Sequence, residues 1–249
     1  MSKKNEVATT TTGAVAVPDY IKQGTNRGSE GVGMDDLIIP RLEIVQSLSP
    51  ARKKSDPGYI PGAEEGMMFN SVTRELYTDA VTICPVIFKK EWLIWRDRKD
   101  GGGFRGSFDS AAAAAARLED INAAEQGNFE ALDTHQHFVL LVKPDGAVEE
   151  LALSMSRSKM KVSRQFNSII RINGGDRFSR VYSVEAVEDT NDRNESYYNF
   201  KITNAGFPSE PVYRRAEKLY NDVASGVVKA RVDTDFEEEA ASGSEDEAF

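Results

Sequence analysis

A mainly β fold with a few helices, of the α+β class, is predicted by three observations. Apolar, β-branched runs recur along the body and are separated by Pro- and Gly-rich turns. Consecutive runs adjoin, so they pair as antiparallel hairpins and not as the βαβ units of a parallel sheet. One amphipathic helical segment precedes the last hairpin. Together these features suit a small antiparallel barrel like an OB-fold, with an inserted Ala-rich helix and a C-terminal helix.

The elements follow in chain order. Residues 1–36 are poor in aromatics and rich in Thr, Gly and charge. They bury too little apolar surface to offset chain entropy and are expected to be a disordered arm. The nucleic-acid-binding body is expected over 37–232. It opens with LIIPRLEIVQSL (37–48), a strand in which Pro40 suggests an edge. Turn chemistry at 49–62 precedes strand candidates at 67–77 and 80–96. Residues 97–110 read as a flexible, basic, Gly-rich loop. AAAAAARLEDINAAEQ (111–126) predicts a surface helix with Asp109 or Ser110 as N-cap. Residues 136–156 predict a hairpin about Lys143-Pro144-Asp145-Gly146. Residues 157–172 predict a helix with Val162, Phe166, Ile169 and Ile170 on its apolar face. A second hairpin is expected over 178–190 and 196–206. A closing helix is expected over 211–228, with Gly226 as C-cap.

Charge directs the functional reading. The 249 residues carry a formal net charge of −9. Eight acids and no base lie between Asp233 and Phe249, so this terminal string accounts for all but one of those charges. Ser154 to Tyr182 contains seven bases and one acid. A near-neutral body with a basic segment and a disordered acidic tail over 233–249 points to nucleic-acid binding.

Catalytic signatures are missing. There is no GxxxxGK[ST], GxSxG, HExxH or CxxC. One Cys excludes an intramolecular disulfide, and two His leave little for a metal site. His135 and His137 share one face of a strand, and a structural role is expected for them. No enzyme activity, cofactor or metal is expected. No run approaches the roughly 18 apolar residues of a membrane span, and the N-terminus lacks the apolar core of a signal peptide. Neither a membrane partner nor export from the cytoplasm is expected.

Two constellations stand out instead. Arg157, Lys161, Arg164 and Arg171 fall within one arc of a helix, with Lys159 beside them, and no acid shares that face. A solvated helix usually mixes signs, so a single sign suggests phosphate. Lys89, Lys90, Trp92, Trp95, Arg96, Arg98, Phe104 and Arg105 interleave rings with cations beside Gly101-Gly102-Gly103. That mixture suits single-stranded nucleic acid, where bases stack and cations follow phosphates. In a strand Trp92 and Trp95 face opposite ways, so one is expected in the core and the other exposed. Tyr182, Tyr197, Tyr198 and Phe200 are further stacking candidates, and Tyr197 is included in the predicted site.

The body followed by EEEAASGSEDEAF resembles the bacteriophage T7-type single-stranded DNA-binding proteins, over about residues 35–249. DLIIPRLEIVQSLSP and SRVYSVEAVEDTNDRNESYYNFKI look like segments of phage replication-module proteins. The resemblance implies an OB cleft that binds single strands without sequence preference, in replication or recombination, in the host cytoplasm. It also implies an acidic tail that contacts replication proteins such as a polymerase or helicase through Asp246, Glu247 and the terminal aromatic Phe249. The alternatives are a phage interaction or inhibitor protein acting on a host factor, a metal-dependent nuclease, and an RNA-binding variant. A homodimer is left open.

Overall fold

The computed structural model describes Gly28, residues 39–191 and residues 194–225, without the side chain of Arg98. The chain divides into a unit at Met1–Gly33 and a unit at Met34–Phe249. Of the first, Gly28 alone is described. The second holds the fold: α+β, with antiparallel sheets and three helices.

Strands β1 (Leu42–Ile44), β2 (Met68–Asn70) and β3 (Leu76–Tyr77) form a small antiparallel sheet. The segment read as one strand over 67–77 is a hairpin. The Asn70 side chain accepts from the amides of Val72 and Thr73 at 2.9 and 3.0 Å and closes the turn. The opening strand is also shorter than expected. Pro40 still donates no hydrogen bond, but its carbonyl accepts from Ala152 at 2.8 Å.

The main sheet begins with β4 (Val81–Arg96), a 16-residue strand with a bulge between Pro85 and Ile87. The bulge lets a proline sit in a central strand without emptying a ladder position. β5 (Phe104–Phe108) pairs with the far end of β4, where a flexible loop was expected. Helix α1 (Ala111–Ala124) follows, with Ser110 Oγ accepting from Ala113 N at 3.2 Å as N-cap. β6 (Phe129–Val142) and β7 (Val148–Met155) form the predicted hairpin, and β6 starts seven residues earlier than expected. A 3-10 turn at Arg157–Lys159 leads into α2 (Met160–Asn173). β8 (Val181–Thr190) and β9 (Ser196–Gly206) form the last hairpin, and α3 (Glu210–Ala224) closes the described chain. Its C-cap is Ser225; Gly226 lies outside the described residues.

The strand order is β7-β6-β4-β8-β9, with β5 on the far end of β4. Among the described residues nothing pairs β7 with β9, so the expected OB-like barrel is not closed. The physical reason is that separate elements cover both faces. On one face, Ile83, Leu141, Leu153, Tyr182 and Phe200 pack with Phe166 of α2 and with Leu42, Ile44 and Met68 of the small sheet. On the other, Cys84, Val86 and Leu140 pack with Val212, Ala216 and Leu219 of α3. Tyr182 and Phe200 are therefore core and not stacking surfaces. No described helix is long and apolar enough to cross a membrane.

Candidate nucleic-acid interface

The far ends of β4 and β6 extend past the doubly covered part of the sheet. There they wall a groove of about 1510 Å³. Small-molecule pockets run to roughly 1,000 Å³, so this one suits a longer ligand. β1 and the turn after it form a second wall, the 3-10 turn before α2 a third, and the tip of β8–β9 a fourth.

Five predicted residues converge on it: Trp95, Arg96, Arg157, Lys159 and Tyr197. Trp95 is half-buried, and its ring lies 5.1 Å from that of Phe104 on β5 at a 50° tilt. The pairing of β5 with β4 depends on Gly106, whose φ of 132° suits glycine. Arg96 donates to the Gln126 carbonyl at 2.9 Å and lies 5.9 Å from the Phe129 ring. Arg157 is ion-paired to Glu130. Lys159 sits 3.6 Å from Glu43 and 5.1 Å from the Phe200 ring. The Tyr197 hydroxyl donates to Asp189 at 3.0 Å. This bond and the backbone amide of Thr190 hold the Asp189 carboxyl below its ordinary value, the amide contributing most.

The groove also uses residues that sequence reasoning missed. Gln46 donates to the Tyr198 carbonyl at 2.7 Å and accepts from the Tyr198 amide at 2.9 Å, so one side chain ties β9 to the turn after β1. Gly66 makes room for that strand: a Cβ there would lie 2.6 Å from the Tyr198 ring. Phe129 and Glu130 begin β6, in the part of that strand that was not predicted. Lining cations Arg96, Lys99, Arg157 and Lys159 are matched by Glu43, Asp97, Glu130 and Glu195. Two of these acids hold groove cations. Asp97 caps its own loop at Lys99 N, and Glu195 accepts from Asn191.

The remaining predicted residues lie elsewhere. Lys89 pairs with Glu91, and Lys90 pairs with Asp133 while lying 4.5 Å from the Trp92 ring. Trp92 is half-buried on the face opposite Trp95, so neither tryptophan is core. The two rings face opposite ways because side chains alternate along a strand, and both stay half-buried although Leu93 and Ile94 between them are buried. Phe104 stands behind Trp95, and Arg105 pairs with Glu125 at 3.4 Å. Lys161, Arg164 and Arg171 are exposed on α2 but do not line the groove. Arg157 leaves their helical phase, because its φ of 50° places it in the turn before the helix. The Arg98 side chain and Asp246, Glu247 and Phe249 lie outside the described residues.

His135 and His137 share a face as expected, and both bond Ser163 Oγ, at 2.6 and 2.7 Å. Arg177 reaches His137 Nδ1 at 2.6 Å. An arginine can only donate, so His137 carries its proton on Nε2 and donates to Ser163, which donates to His135 Nδ1. Burial, then the charge of Arg177, pushes His137 well below its ordinary pKa. Burial likewise lowers His135, and it brings Arg177 down to about 10. Ser163 is fully buried, so it offers no nucleophile to a substrate. The cluster fastens α2 to β6. Cys84 is buried with its thiol pushed up to about 12, and it acts as a core side chain. No group of three or more metal-ligating side chains occurs among the described residues.

A family model described as Pam3 phage gp34-like protein matches residues 8–229. No curated protein and no solved structure matches the chain.

Proposed function

The chain belongs to the Pam3 phage gp34-like protein family, and from that premise we propose that it is a non-enzymatic single-stranded DNA-binding protein of phage replication or recombination. One observation carries the reading: three separate elements bring Trp95, Arg96, Arg157, Lys159 and Tyr197 to one groove. Aromatic faces there accept unpaired bases, and each stacked base contributes about 1–3 kcal/mol without sequence preference. Phosphates displace Glu130 from Arg157 and Glu43 from Lys159. The Arg157–Glu130 pair is exposed and worth only about 0–1 kcal/mol, so that exchange is easy, whereas Lys159–Glu43 is more buried and Glu43 keeps Arg41 as a partner. No cofactor is needed. The acidic segment 233–249 recruits replication proteins and competes with DNA for the groove cations.

Oligo-dT titrated into the full chain should quench tryptophan emission. Trp95→Phe should remove most of that signal, and Trp92→Phe should leave it. Unchanged emission in the unsubstituted chain at saturating oligo-dT would contradict the groove as a base-stacking site.

A further inference from the structure

Helices α2 and α3 are both amphipathic, and both turn cations to solvent, but they handle the charge differently. On α3 every cation is paired: Arg214 with Glu217 at 3.1 Å, Arg215 with Glu150 at 2.5 Å, and Lys218 with Asp222 at 2.6 Å. Such pairs are the ordinary way a wet helix face neutralises itself. Helix α2 contains no acid at all. Its cations Lys161, Arg164 and Arg171 are exposed, and among the described residues none of them has an ion pair. Asp189 feels the charge of Lys161, but its carboxylate is engaged by Tyr197. Lys161 also stands in the first turn, where the helix dipole disfavours a cation. The arrangement therefore costs local stability, and among the described residues no acid offsets it.

The geometry of the face identifies what does. At about 100° per residue, Arg171, Arg164, Ser168, Lys161, Ile172 and Gln165 fill one arc of roughly 120°. All six are exposed. The three cations span about 15 Å along the axis at ~1.5 Å per residue, and that length of duplex axis carries four to five phosphates of each strand at ~3.4 Å of axial rise apiece. No aromatic lies in the arc, so this face has no ring on which to stack an unpaired base. It can read phosphate density alone, and duplex DNA presents that density best.

We infer that the exposed face of α2 is a second nucleic-acid surface, which holds the phosphate backbone of duplex DNA while the groove holds a single strand. This shares the nucleic-acid reading above but not the groove. A protein with both surfaces bridges the two forms of DNA that meet at a fork or an invading strand.

The test uses the full chain saturated with unlabelled oligo-dT and titrated with a fluorescent duplex at about 50 mM salt. The duplex should bind the saturated protein. Changing Lys161, Arg164 and Arg171 together to Ala should weaken duplex binding at least tenfold and flatten its log–log salt slope by about 2–3, at roughly 0.9 per phosphate. Oligo-dT affinity, read from tryptophan quenching, should stay within twofold. A circular-dichroism melt establishes that the variant folds, and Lys161→Gln with Arg171→Gln is the milder second variant. Three results would overturn the inference: displacement of duplex by oligo-dT, equal weakening of both ligands, or binding of anionic phosphatidylserine vesicles with no binding of duplex. Duplex binding that depends on α2 without any quenching by oligo-dT would retire the groove reading and leave this one standing.

Discussion

Trp92 and Trp95 lie three residues apart on one strand, and their different surroundings set their different roles. Trp95 borders the groove with Phe104 behind it, whereas Trp92 lies under Lys90 on the other face. Trp95→Ala should therefore weaken single-strand binding by about 1–3 kcal/mol, and Trp92→Ala should change it less than twofold, both read by anisotropy. Alternation along a strand was legible in the sequence. Which side would stay open was not, because that depends on where distant elements pack. The histidines behave similarly. Their shared face followed from spacing, but Ser163 and Arg177 reach them only through tertiary contact. Both imidazoles have lowered pKa values, so the folded chain binds fewer protons than the unfolded chain, whose histidines titrate near ~6.5. Their contribution to stability is complete above that pH and is lost as pH falls below it, by up to about 1.4 kcal/mol per pH unit for each histidine. Urea unfolding at pH 7.5 and 5.5 should show a loss of about 1–2 kcal/mol, and His137→Gln should reduce the difference.

At the scale of elements, local signals predicted the pieces and tertiary pairing decided their ends. The Ala-rich helix, a cap at Asp109 or Ser110 and both hairpins were legible because propensity, capping and turn residues agreed, and the structure selects Ser110. β5 was not, since FRGSF has little strand character of its own and is a strand because β4 lies beside it. Arg157 was assigned to a helical face because its spacing fits, but the break after Ser156 puts it in a left-handed turn. That break carries Arg157 to the groove and leaves the rest of the basic row on α2. Gly66 tests how firmly the groove's walls are joined. Its φ of 81° and the Tyr198 ring 2.6 Å from a new Cβ predict that Gly66→Ala costs about 1–3 kcal/mol and weakens oligo-dT binding several-fold. A thermal melt and a titration check the two effects separately.

For the whole molecule, charge placement matters more than its sum. A chain of net −9 collects four cations at one groove and three more on one helix. If all four groove cations meet phosphate, the log–log salt slope for oligo-dT should be about −3, at roughly −0.7 per phosphate. Glu130→Gln should tighten binding two- to fivefold by releasing Arg157 from its pair. Deleting 233–249 should tighten it most at low salt, where a tethered polyanion competes best. The open sheet was not legible. The hairpin order fits either a barrel or a sheet covered on both faces, and only the packing of α2, α3 and the small sheet decides between them. The groove's occupancy is tested most directly by photo-crosslinking an iodouracil-containing single strand to the full chain and mapping the modified peptides. Crosslinks should fall on Trp95, Phe129 and Tyr197 and should be absent with an equal-length duplex. Crosslinks confined to the α3 face, or no more than the duplex gives, would contradict the account.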